Sequence, residues 1–330
     1  MTRPSLSLPV LLALGLLAVP LVGRADDALP APRTGGNFEI ATIKDIAYYD
    51  GDDADPVKHR LDLYLPKGQK DFPVLFFVHG GTWRSGDKKL YGPLGQVFAK
   101  NGVGTVITNY RLSPKVKHPA HIEDVARAFA WTHAHIGRHG GRADRIFCCG
   151  HSAGGHLVAL LATDETYLKA HRLSLSDIRG TIALSGVYTI LPGLFSSQFG
   201  SDAEVCRKAS PLNHVNGKHA PFLLIYADKD YPFCDRMAEQ MCQALVRCNC
   251  EANTLKIKDR DHISIIVQVQ KEDDPTTQAI LDFIARHSEL KLTPKGKSLG
   301  NDECRSTNDE RMSNDPMTND ESRGVTSLPR

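Results

Sequence analysis

Gly150-His151-Ser152-Ala153-Gly154 sets a serine between glycines two positions to either side. The apolar run 146–149 leads into it, and small residues open a helical pattern after it. The serine is therefore expected at the apex of a tight strand-to-helix turn, with its hydroxyl raised above a sheet. Such a turn forces unfavourable backbone angles on the serine, and the flanking glycines remove Cβ atoms that would collide with neighbouring chains. The helix start adds positive potential where an oxyanion would form. The chemistry implied is nucleophilic attack on a carbonyl. His79-Gly80-Gly81-Thr82-Trp83 follows a second apolar run, 74–78. Consecutive glycines let the backbone fold back and present N–H groups without side-chain obstruction. The amides of Gly80 and Gly81, joined by that of Ala153, are expected to meet the negative oxygen of a tetrahedral intermediate.

A serine hydroxyl needs a base, and the base needs an orienting acid. On a strand–turn–helix scaffold the chain order is nucleophile, acid, histidine. The acid belongs just past the apolar run 222–226, where Asp228, Asp230 and Asp235 stand. Asp230 is favoured because it lies far enough past the strand end to reach across, whereas Asp228 suits a turn cap. His262, in Arg260-Asp261-His262-Ile263-Ser264, falls between the last strand and the final helix and is the expected base. Thr82, Trp83, His151 and Phe195 are expected near the substrate pocket, with turn packing as the competing role for His151. Arg111 and Asp124 are expected to form a buried polar pair. No cofactor or metal is expected. His133 and His135 do not share a helical face, and Cys248-Asn249-Cys250 lacks the spacing of zinc-ligand pairs.

The elements that must hold these residues alternate. Strand patterns cover 38–48, 60–65, 74–78, 104–109, 145–149, 180–185, 222–226 and 252–256. The middle ones are continuous apolar runs, as in strands covered on both faces. Segment 60–65 alternates polar and apolar residues, as a strand nearer a sheet edge would. Helical patterns cover 120–136, 153–162, 234–246 and 276–287. This order predicts a mostly parallel, doubly wound α/β sheet with helices on both faces. The insertion 188–211, carrying Phe195 and Phe199, is the only segment long enough to cover the pocket, which predicts a small cap.

Composition sets the outer limits. The chain has 330 residues, 41% of them hydrophobic and 24% charged, with a net charge of +2. No concentrated basic face for nucleic acid is implied. Arg3, the apolar run 6–22 and Gly23-Arg24-Ala25 predict a secretory signal over 1–25, hence export from the cytoplasm and no stable membrane span after cleavage. Residues 26–37 read as a linker, 38–293 as the folded domain, and 294–330 as a polar tail that buries too little surface to order itself. An exported protein is permitted disulfides among Cys206, Cys234, Cys242, Cys248 and Cys250. Cys148 and Cys149 instead look like buried small hydrophobes.

His-Gly-Gly-Thr-Trp at 79–83, Asn-Tyr-Arg-Leu-Ser-Pro at 109–114 and Gly-His-Ser-Ala-Gly-Gly-His at 150–156 resemble the hormone-sensitive-lipase-like branch of the α/β-hydrolases. Within that branch the chain is most similar to BD-FAE-type carboxylesterases and kynurenine formamidases. The resemblance implies Ser152, Asp230 and His262 as a triad, and Gly80, Gly81 and Ala153 as the oxyanion hole. Thr82 and Gly155 stand where formamidases usually carry tyrosine and alanine. With the export signal, they tilt the expectation toward an esterase of short acyl or aryl esters, including acyl groups on carbohydrate. An amidase with the same triad and a non-catalytic binding member of the fold are the alternatives.

Overall fold

The computed structural model describes residues 37–288. The expected signal segment, nearly all of the linker and the polar tail lie outside the described residues. Eight strands form one sheet: β1 (Ile40–Ala47), β2 (Arg60–Pro66), β3 (Phe72–Val78), β4 (Gly104–Thr108), β5 (Gly141–His151), β6 (Gly180–Leu184), β7 (Phe222–Lys229) and β8 (Ala252–Asp261). Their spatial order is β1-β2-β4-β3-β5-β6-β7-β8. β2 runs antiparallel to both of its neighbours, and β3 through β8 are parallel. From β3 onward the strands are joined by helices α1 (Gly92–Lys100), α2 (Ala120–His135), α3 (Ala153–Thr163), α4 (Glu165–Lys169), α5 (Ser196–Phe199), α6 (Ala203–Lys208) and α7 (Cys234–Arg247), and α8 (Ser264–Gln268) and α9 (Pro275–Ser288) follow β8.

Side chains alternate across a strand, so each apolar run serves two cores. Phe76, Cys148 and Leu224 pack with α2, α3 and α7 on one face. Phe77, Cys149 and Ile225 pack with α1, α8 and α9 on the other. α3 is buried along its whole length, which is why its sequence is apolar on every side. The C-terminal ends of β3, β5, β6 and β7 share one rim of the sheet. In a parallel sheet that rim is where connecting loops converge and ligands bind.

β2 lies near the sheet edge, as its alternation implies, and is buried on both faces. Asp62 is 1% exposed and accepts from Lys88 Nζ at 2.6 Å, and the same ammonium reaches Asp45 at 2.7 Å. β1 covers β2 from outside, so the polar residue had to be neutralised internally rather than solvated. Arg111 and Asp124 do pair: Arg111 Nε and Nη2 donate to the two carboxylate oxygens of the buried Asp124, each at 2.9 Å.

Candidate active site

β5 runs into α3 through Ser152, whose φ of 54° and ψ of −116° lie in the left-handed half of the map. A non-glycine residue there is strained. The turn persists because its neighbours fix it: Ser152 N donates to Leu184 O at 2.8 Å, and His156 N closes on Ser152 O at 3.0 Å. Glycine is required at 154, where a Cβ would stand 2.7 Å from His79 O and closer still to Val78 O. β3 and its Gly-Gly turn can therefore lie directly against the start of α3.

His262 sits in the turn between β8 and α8, buried at 7% exposure. Its Nε2 is 2.9 Å from Ser152 Oγ and its Nδ1 is 2.6 Å from Asp230 Oδ1. Asp230 follows β7, and of the three candidate aspartates it alone meets the histidine. Asp228 instead accepts from Arg260 N at 3.0 Å, and Asp235 caps the first turn of α7 through Arg236 N at 2.8 Å. Burial works against ionisation of Asp230, but hydrogen bonds from His262, the Ser185 hydroxyl, and the amides of Ala227 and Tyr231 prevail. They hold its carboxyl well below the usual carboxylate range. An anion fixed at Nδ1 places the ring proton on that nitrogen and leaves the Nε2 lone pair facing the serine.

Gly81, Thr82 and Trp83 all have positive φ, at 118°, 51° and 56°, so the turn after β3 coils back on itself. Burial raises the phenol of Tyr91, whose ring stacks on His79 beside this turn. The insertion holds this turn from the other side: buried Gln198 donates from Nε2 to Thr82 O at 2.9 Å. Ser113 N donates to Trp83 O at 2.8 Å.

Two of the four expected pocket residues turn out to be supports. Trp83 is 1% exposed. Its indole N–H donates to His156 Nδ1 at 3.2 Å, and its ring meets Phe195 and Phe199 edge-on. A fully buried indole fills the core and needs a partner for its N–H, which is why it turned inward. His151 is also buried. Its Nε2 bonds to the His262 carbonyl at 2.8 Å, fixing the main chain that carries the His262 ring. Thr82 remains exposed on the rim and Phe195 half-buried beside Trp83. Residues that sequence reasoning passed over are Ser185, at the end of β6, and Tyr231, stacked on His262 with ring centroids 4.2 Å apart. Ser185 carried a usable signal, a hydroxyl directly after an apolar strand on the functional rim. Among the described residues no disulfide involves Cys206, Cys234, Cys248 or Cys250.

Burial holds five histidines around the site neutral. It lowers His79, His118 and His121 to about 4, and His151 and His156 to about 3. The unfolded chain takes up these protons first, at about pH 6.5. This contribution to stability is therefore full above that pH and is lost as the pH falls from 6.5 toward 4. At pH 5.5 each histidine costs roughly 1 kcal/mol. Calorimetry at pH 7.5 and 5.5 is expected to find Tm lower at the acid pH by about 10 °C, and an equal or higher Tm there would contradict this account.

This sheet, with a serine at its strand-to-helix turn, has the architecture of the α/β-hydrolase fold. More narrowly, residues 61–181 match the BD-FAE family model. A probable isoprenylcysteine alpha-carbonyl methylesterase of Arabidopsis thaliana is 29% identical over 241 residues, 65% of this chain and 50% of that one. The chain thus spans half the length of that relative. A kynurenine formamidase of Danio rerio is 26% identical over 258 residues, 74% of this chain and 83% of that one. The crystal structure of esterase B from Lactobacillus rhamnosis superposes with a TM-score of 0.65 at 20% identity, over 78% of this chain and 88% of the other, which establishes the shared fold. No helix of the described residues is long and apolar enough to cross a membrane.

Proposed function

We propose that the chain is a serine carboxylesterase acting on short acyl or aryl esters through an acyl-enzyme. The observation that carries this reading is the unbroken relay from Ser152 Oγ through His262 to Asp230, at 2.9 and 2.6 Å, on the rim of the sheet. His262 takes the serine proton as Oγ attacks the ester carbonyl, then gives it to the departing alcohol. Water enters by the same base and releases the acid. The amides of Gly80, Gly81 and Ala153 hold the oxyanion. Tyr231, Phe233 and Ile263, each more than half exposed around His262, offer apolar surface to an acyl or aryl group. The small insertion supports short or accessible substrates.

Kynurenine formamidase is the second reading, favoured by the similarity to the Danio rerio protein over most of its length. It uses the same residues on an amide. A fluorophosphonate probe, followed by rates on p-nitrophenyl acetate and N-formylkynurenine, separates the readings. Labelling at Ser152 with faster ester turnover is expected. Faster turnover of N-formylkynurenine would establish the formamidase, and an unlabelled protein would end both readings in favour of a binding role.

A further inference from the structure

We infer that Asp230, Cys234 and His262 form an inhibitory site for a borderline-soft divalent cation of the zinc and cadmium class. Each residue offers one donor atom, a carboxylate oxygen, a sulfur and an imidazole nitrogen, and these atoms lie within 4.8 Å of one another. That donor set suits such ions. Tetrahedral ligands at zinc stand about 3.3–3.8 Å apart, so only the close pair of His262 Nδ1 and Asp230 Oδ1, at 2.6 Å, must separate slightly. The carboxylate is already oriented by the amides of Ala227 and Tyr231 and by the Ser185 hydroxyl, the outer support a metal ligand needs. Cys234 is 5% exposed, opens α7 and has no part in the hydrolytic scheme. A cavity of about 320 Å³, walled by Asp230, Tyr231, Phe233 and Arg236, opens beside the carboxylate.

The consequence rests on the reading of His262 as the base. Metal takes the Nδ1 lone pair, and the thiol proton leaves to solvent as the sulfur–metal bond forms. The imidazole stays neutral with its one ring proton moved, through solvent, from Nδ1 to Nε2. Nε2 then faces Ser152 as a donor and can no longer accept its proton. The amides and the acyl surface are untouched. Inhibition therefore lowers kcat and leaves KM unchanged.

The full chain, stripped with a chelator, is titrated with Cd²⁺ while the ultraviolet thiolate-to-cadmium absorption and p-nitrophenyl acetate hydrolysis are followed. One ion per chain is expected to raise the absorption and depress kcat at constant KM. In Cys234→Ser, compared with its own metal-free rate, the absorption is lost and the inhibition midpoint moves at least about tenfold. Cys234→Ala, checked for native circular dichroism, repeats this. An undiminished band in both variants would assign the metal to another cysteine and overturn the site, as would inhibition that raises KM alone. Ser152→Ala must keep the band. A wild-type protein that binds Cd²⁺ in this way but hydrolyses nothing would refute the esterase reading and leave the site standing.

Discussion

Ser152→Ala is expected to lower kcat for p-nitrophenyl acetate by roughly 10⁶-fold, with the fold unchanged. The size follows from how the three side chains act. Without the hydroxyl there is no acyl-enzyme, and His262 and Asp230 have nothing to deprotonate, so removing either of them as well adds little. A residue of catalysis above the rate in water survives, because the Gly80, Gly81 and Ala153 amides still polarise a bound carbonyl. Asp230→Asn tests the other end of the relay. The amide retains the shape but can donate to His262 Nδ1, which favours the proton on Nε2, the tautomer that cannot act as a base. A loss of roughly 10⁴-fold is expected. Steady-state rates with matched circular dichroism decide both, and Ser152→Ala turning over within tenfold of wild type would exclude Ser152 as nucleophile.

Much of this site was legible because its chemistry demands particular residue types in fixed order along the chain. Ser152 lies between glycines that a crossing of two backbones requires, and Asp230 and His262 follow the two strands that end beside it. The middle strands were legible for a related reason: apolar runs without charge have no stable place except a sheet covered on both sides. The side-chain orientations were not legible. Trp83 follows an oxyanion turn in sequence, yet its direction is set by His156 and Phe199, residues distant along the chain that no local pattern connects to it. Gln198 sits in a four-residue helix too short to leave a periodic trace, so its bond to Thr82 was invisible. The burial of Asp62 was not legible either, because period-2 alternation reports polarity alone and Lys88, which neutralises it, comes from another element.

Gly154→Ala is expected to cost roughly 3 kcal/mol or more in stability and to reduce soluble yield, whereas Gly155→Ala should be nearly neutral. Both glycines lie in the first turn of α3, and at both, alanine gains about 1 kcal/mol of helix propensity. Space decides between them. The methyl at 154 would press into the carbonyls of Val78 and His79, at the end of a fully buried central strand that cannot yield without dragging the Gly80-Gly81 turn. The methyl at 155 would meet Gly186 Cα at 3.0 Å and the carbonyls of Gly150 and Leu184 at 3.2 Å, contacts that a few tenths of an ångström relieve. Since β3 carries the Gly80-Gly81 turn proposed to hold the oxyanion, any Gly154→Ala protein that does fold is expected also to lose kcat, while Gly155→Ala keeps it. Denaturant titration of the two variants measures the difference directly. Equal stabilities would mean that α3 does not rest on β3 as closely as the turn chemistry of Ser152 requires.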